Sequence, residues 1–312
     1  MGESKDILII FPTNIGDAVI ALPVLDRARE NFPQAKLSVF TSPRTDQFLS
    51  RNDFIDQTVL FDKRWPKKSK FIFVAGERNK YDTVIDLKNS LFPFLLGARH
   101  FTPVLRLRNK DTRAADEYLT LVKKLLPRAA SKRSHFPLNV DEKKKIDSFN
   151  LKPGTIFLAC ASRSHLKQYD KVELKVLAQN LAKKYPVAVL GEECDREYYS
   201  GILAIPGVVD LTGKTTFIEI FYLLDNYAKA LVCVDSAIMQ AASYCDIKIV
   251  ALFGPTDSSR YGPWSSHYAI LGNGSLDCAP CAMAVCKNNY ECMKIDAAKV
   301  SVALEDILNE KS

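Results

Sequence analysis

The chain has 312 residues, 47% of them hydrophobic and 25% charged, with a formal net charge of +7 at pH 7. That balance excludes disordered and fibrous classes, and the length suits two domains better than one. No apolar run reaches the roughly 20 residues of a bilayer-spanning helix, and the acidic start lacks the form of a secretion signal. The chain is therefore expected in the cytoplasm with its 8 cysteines mostly reduced.

Short β-rich runs alternate with amphipathic stretches. In the first half the pattern predicts strands over 6–11, 36–41, 58–61 and 83–87, and helices over 17–31, 44–51, 67–80 and 112–126. Pro23 should kink the first helix or mark the start of its longer part. Residues 71–74 could equally form a strand, but the strand at 83–87 needs a crossover before it, so helix is preferred. The pattern weakens over 128–150, which places a domain boundary at 150/151. The second half predicts strands over 155–161, 187–190, 208–211, 230–234 and 248–252, with helices over 171–184, 195–202, 217–226, 236–244 and 297–308. The expected fold is α/β, with two Rossmann-like domains (1–150 and 151–312) facing across a cleft; the last helix is a candidate to return onto the first domain.

Ligands of open parallel sheets bind at the carboxyl ends of strands, so the polar residues there carry the functional reading. The first strand ends in Asn14-Ile15-Gly16-Asp17. Asp17 could cap the following helix, or act as a general base toward an acceptor hydroxyl, a role worth about 10²–10⁴-fold. This turn lacks the G-x-G-x-x-G fingerprint, which counts against a nicotinamide dehydrogenase. Ser162, Arg163 and Lys167 follow the strand at 155–161 and suit a diphosphate, Arg as a planar fork and Lys as a mobile point charge. His165 reads as a surface loop residue. Asp235-Ser236-Ala237 opens a helix; the backbone there favours an anion, leaving Asp235 for sugar or ribose hydroxyls, with helix capping as the structural alternative. Asp257, after another strand and a Gly-Pro turn, could reach a hydroxyl.

Two other features stand apart. Cys278, Cys281, Cys286 and Cys292 could hold structural zinc, although only the first pair has knuckle spacing; packed or partly oxidised thiols are the alternative. Cationic residues run from Arg99 to Arg133, including Arg106, Arg108, Lys110, Arg113, Lys123, Lys124, Arg128 and Lys132. They form either a solvated face or a patch for a phosphorylated glycolipid or membrane surface. No reader signature for nucleic acid is present.

Taken together, these motifs resemble glycosyltransferase family 9, the lipopolysaccharide heptosyltransferases of two-lobed GT-B type. The resemblance rests on Gly16-Asp17 with Leu22-Pro23, Ala161-Ser162-Arg163 with Lys167, Leu211-Thr212-Gly213-Lys214-Thr215, Phe253-Gly254-Pro255-Thr256, and the tail ending Cys292-Met293. It implies inverting, metal-independent transfer of a sugar from a nucleotide donor, usually ADP-heptose, onto the anionic lipid A-core, without a cofactor. It also implies an enzyme in the cytoplasm with peripheral contact to the inner membrane. By that likeness Asp17 is the base. Ser162, Arg163, Lys167, Asp235, Ser236, Ala237 and Gln240 line the donor side, and Asn14, Gly16 and Arg113 the acceptor side. One departure stands out: the family's Asp-Ser-Gly-Pro-Met-His reads Asp235-Ser236-Ala237-Ile238-Met239-Gln240 here. That change implies either another donor preference or a weakened donor site, and at the extreme a degenerate nucleotide-sugar-binding protein.

Overall fold

The computed structural model describes residues 6–104, 106, 111–272, 276–281, 283 and 285–310. The chain divides into two compact units, Met1–Pro137 and Leu138–Ser312.

The first unit runs β1 (Asp6–Ile10), α1 (Ile15–Ile20), α2 (Leu22–Asn31), β2 (Lys36–Thr41), α3 (Asp46–Leu49), β3 (Gln57–Leu60), α4 (Lys67–Glu77), β4 (Thr83–Asp86), α5 (Phe92–Leu95), β5 (His100–Phe101) and α6 (Ala114–Val122). Its strands are all parallel, in the order β3-β2-β1-β4-β5. Ile7, Leu8, Ile9 and Ile10 of the central strand are buried on both faces, which is why β1 reads as an unbroken apolar run rather than an alternation. Pro23 does what its chemistry requires. The predicted helix is interrupted at Ala21, and Pro23 falls in the first turn of α2, where its missing N–H costs nothing. The helix expected over 67–80 forms over Lys67–Glu77, as the crossover argument required. The two-residue strand β5 and the single turn α5 are too short for a periodicity to show.

The second unit runs α7 (Val140–Asp147), β6 (Thr155–Ala159), α8 (Lys171–Ala182), β7 (Val187–Val189), α9 (Arg196–Leu203), β8 (Val208–Asp210), α10 (Phe217–Tyr227), β9 (Ala228–Val234), α11 (Ala237–Tyr244), β10 (Ile249–Leu252), α12 (Ser258–Tyr261), β11 (Tyr268–Leu271) and α13 (Ala297–Asn309). Its parallel sheet has the order β8-β7-β6-β9-β10-β11. Counted from β6, this is 3-2-1-4-5-6, the order of dinucleotide-binding folds. The division between units falls before α7 rather than after it. Asn139 and Glu142 close a reciprocal capping box at the start of α7. Lys145 then ties this helix to the buried Glu219 of α10, 2.8 Å from Nζ to Oε2. Helix α13 buries Val300, Leu304 and Ile307 and packs on α8, β9, β10 and β11, all within this unit. Among the described residues, no helix is long and apolar enough to cross a membrane.

Candidate active site

In the second unit the strand order reverses between β6 and β9, and the two strands leave the sheet level with each other, Ala159 opposite Cys233. This switch point is where an open α/β sheet presents its ligand crevice. The chain then supplies Ser162 and Lys167 after β6, and Asp235 and Ser236 after β9. Lys167 sits in a short 3₁₀ turn and reaches across the switch point to Asp235, 2.6 Å from Nζ to Oδ2. Both side chains are partly buried, at 29% and 14% exposure, so the pair is less screened than a surface bridge. Ser236 caps α11 by accepting the Met239 N–H at 3.3 Å. Capping and a place beside the ligand are compatible here, because the side chain satisfies one helical donor while other first-turn amides remain available.

Arg163 is exposed, and both its Nε and Nη2 hydrogen-bond the Glu192 carboxylate at 2.8–3.2 Å. The guanidinium fork expected to face a diphosphate is thus filled by Glu192. Further along the same sheet edge, Asp210 gathers Arg196 at 2.6 Å and Lys214 at 3.1 Å, with the Thr212 amide and hydroxyl. Burial pushes the Asp210 carboxyl up. The Thr212 and Lys214 hydrogen bonds outweigh it and hold the group below its ordinary value. Gly213 in this turn has φ +69°, and a Cβ there would lie 2.9 Å from the Glu193 backbone, so only glycine fits.

Sequence reasoning missed what holds this crevice from behind. The Tyr199 hydroxyl, fully buried, accepts the N–H groups of Cys160 and Ala161 at 2.7 Å each and donates to the Leu190 carbonyl. The Tyr198 hydroxyl donates to the Tyr169 carbonyl at 2.7 Å. Adjacent tyrosines on α9 thus pin both ends of the Ser162–Lys167 loop. The signal was the Tyr198-Tyr199 pair in a helix whose face is otherwise core.

Gln240 is 3% exposed and its amide is engaged with protein at both ends. It donates to the Tyr261 carbonyl at 2.8 Å and accepts from the Trp264 indole at 3.0 Å. It fixes the chain after β10. Ala237 is half-buried in the first turn of α11. Asp257 caps α12 through the Ser259 amide and hydroxyl. His165 is exposed and bonds only locally, to Gln168. Gly254 faces Cys292 and Met293, each with a sulfur 2.7 Å from where a Cβ would stand. The turn after β10 and the cysteine-rich tail are therefore packed as one piece.

In the first unit, Asp17 lies in the first turn of α1, whose N-cap is Asn14. Its carboxylate caps nothing; it accepts the Asn14 side-chain amide at 3.2 Å and is half-buried. The capping alternative is thereby removed. Asn14 also lines a cavity of about 340 Å³ at the carboxyl ends of β1, β2 and β3, shared with Thr13, Ser42, Arg44, Phe61 and Lys63. Lys88, just after β4, stands over the Phe61 ring at 6.0 Å. Burial lowers the pKa of its ammonium, Asp86 opposes that, and Lys63 adds to it. Gly16 and Asp17 are in the first turn of α1 and Arg113 is the N-cap of α6; of the residues expected on the acceptor side, Asn14 lines this cavity and Gly16 and Arg113 do not, nor does Asp17.

Among the described residues, no group of three or more His, Cys, Asp or Glu side chains is gathered closely enough to hold a metal ion. Cys292 is buried under the Gly254 turn while Cys278 is exposed, and burial together with the neighbouring Cys286, Cys281 and Cys278 pushes the Cys292 thiol up. In the basic stretch, the Arg106 guanidinium is turned inward onto the carbonyls of Asp86 and Leu87. Arg108 and Lys110 lie outside the described residues.

Two Rossmann-like units are the architecture of the GT-B sugar transferases, although the architecture alone does not set the chemistry. The family model for glycosyltransferase family 9 (heptosyltransferase) matches residues 77–291. The lipooligosaccharide heptosyltransferase 2 of Campylobacter jejuni subsp. jejuni is 24% identical over 92% of this chain and 94% of its own. The solved family 9 glycosyl transferase of Veillonella parvula superposes with a TM-score of 0.79 at 20% identity, covering 98% of each chain. The Escherichia coli ADP-heptose lps heptosyltransferase II gives 0.73 at 20% identity, covering 97% of this chain and 98% of its own. The chain belongs to glycosyltransferase family 9, and it is a glycosyltransferase.

Proposed function

We propose that this protein moves a heptose from ADP-heptose onto an anionic lipopolysaccharide-core acceptor, with inversion at the anomeric carbon and without a metal. The acceptor hydroxyl oxygen bonds to the anomeric carbon as the bond from that carbon to the diphosphate breaks. The proton passes to Asp17, and ADP departs. A carboxylate serves here because the hydroxyl acidifies as its new bond forms. Ser162 and Lys167 hold the diphosphate and offset its growing charge, with Arg163 joining once released from Glu192. The first unit takes the acceptor: Arg44 and Lys63 line its cavity beside the Asp62–Arg64 ion pair and suit an acidic glycan.

The observation that carries this reading is the Lys167–Asp235 pair at the switch point of the second unit. It puts a cation for phosphate and a carboxylate for sugar hydroxyls side by side. A second reading, the same transfer with another activated sugar, is favoured by Gln240, whose amide is occupied by Tyr261 and Trp264 rather than presented to a ligand. The test is a donor screen with ADP-, GDP- and UDP-sugars on a truncated core oligosaccharide, with product linkage read by NMR. Heptose transfer with the inverted anomer is expected. Transfer of another sugar selects the second reading, and retention of configuration or no transfer from any donor overturns both.

A further inference from the structure

The first unit carries a surface that its fold does not explain. Phe73 of α4 and Phe92 of α5 pack together on Phe40 and Phe61, with ring centroids 5.1–5.8 Å apart. On the outer side of that aromatic base, large apolar side chains face water: Phe71 at 75% exposure, Ile72 at 60%, Phe94 at 74%, with Leu91 and Leu95 half exposed. Scattered exposed apolar residues need no explanation, but four on two neighbouring helices, with Leu91 at the cap of α5, amount to a patch. The segment leading into α4, Lys63-Arg64-Trp65-Pro66-Lys67-Lys68-Ser69-Lys70, holds five cations and no acid. Three of those lysines occupy the first turn of α4, which holds no acidic residue and no side-chain cap; Asp62, just before the segment, pairs with Arg64 at 2.6 Å and faces Lys70, leaving Lys67 and Lys68 as the outstanding charges. Cations at a helix N-terminus oppose the macrodipole, and α4 packs through its partly buried Phe73 and Val74, which leaves Phe71 and Ile72 outside the core.

We propose that α4 and α5 form a membrane-docking face that lays Phe71, Ile72 and Phe94 into an anionic lipid surface, with Lys67 and Lys68 on the headgroups. Charge complementarity selects lipid. A basic collar around exposed aromatic and aliphatic groups is the composition of interfacial helices, and each half alone gives only weak, reversible binding. This moves the membrane contact away from the Arg99–Arg133 stretch, which shows no exposed large apolar residue among the described residues beyond Phe101. The idea rests on the proposed glycolipid acceptor only for its purpose, since docking needs no acceptor.

The experiment is co-sedimentation of the full chain with phosphatidylcholine vesicles, with and without phosphatidylglycerol, at low and high salt. Binding is expected only with the anionic lipid, and high salt should release it. Lys67→Glu with Lys68→Glu should weaken it by about tenfold or more. Phe71→Ser with Ile72→Ser should weaken it comparably, while ADP binding and transfer to a soluble oligosaccharide stay at the native level. Equal binding to neutral vesicles, or none to either, overturns the proposal. So does a dimer in solution that the Phe71→Ser, Ile72→Ser variant dissociates, which would make the face a self-association surface. Vesicle binding without transfer would sink the transferase reading alone; transfer without vesicle binding would sink this one alone.

Discussion

The two units share a strand order but not a style of crevice. In the second unit the edge is prearranged: Lys167 is paired with Asp235, Asp210 holds two cations, and Tyr199 fixes the strand ends from below. In the first unit the corresponding edge opens into a cavity, and among the described residues Asp17 takes its side-chain hydrogen bond from Asn14. The difference matches what each side must recognise under the proposed function. A nucleoside diphosphate is small and chemically constant, so fixed dipoles and charges bind it without reorganising. A branched glycan is large and variable, and an open basic cavity with room for solvent accommodates it.

The sharpest way to break that comparison is Asp17→Asn. It preserves shape and a partner for Asn14 but removes the base. Transfer should fall by about 10²–10⁴-fold, while ADP affinity, a property of the second unit, stays native by calorimetry. A native turnover rate would show that the first unit does not supply the base. The next effect in size is Lys167→Ala. It deletes the charged partner of both Asp235 and the incoming diphosphate. A charge-assisted hydrogen bond is worth about 1.5–3 kcal/mol, so ADP should bind roughly 10–100-fold more weakly. Unchanged ADP affinity would mean that the prearranged edge is structural and the donor sits elsewhere.

How much of this the sequence disclosed follows from the range of the interactions. Buried parallel strands announce themselves, as β1 and β9 do, because both faces need apolar residues. Helix α7 was overlooked because it buries only Ile146, although its Asn139–Glu142 capping box was legible. The loops that close the site could be named because they follow strands and carry the right side chains. The pairing of Lys167 with Asp235 could not be read, because 68 residues separate them and only the sheet order brings them together. The same holds for Gln240. By residue type it looked like a ligand-facing replacement for an imidazole, but its surroundings are set by Tyr261 and Trp264.

The smallest expected effect concerns the charges at the end of β8 and sharpens the idea of a prearranged edge. Asp210 is held below its ordinary value of 3.8 in the folded chain. A carboxyl depressed on folding stabilises the native state above its unfolded value, and that contribution disappears as pH falls through the lowered one. Asp210→Asn should therefore cost about 1–2 kcal/mol at neutral pH, seen as a Tm lower by a few degrees. The gap between variant and native protein should hold constant from pH 7 down to about 5, then close below pH 4. A gap that persists undiminished through that range would show that the Asp210 network is held by hydrogen-bond geometry and not by its charge. In that case the second unit would be prearranged in shape without being prearranged in electrostatics.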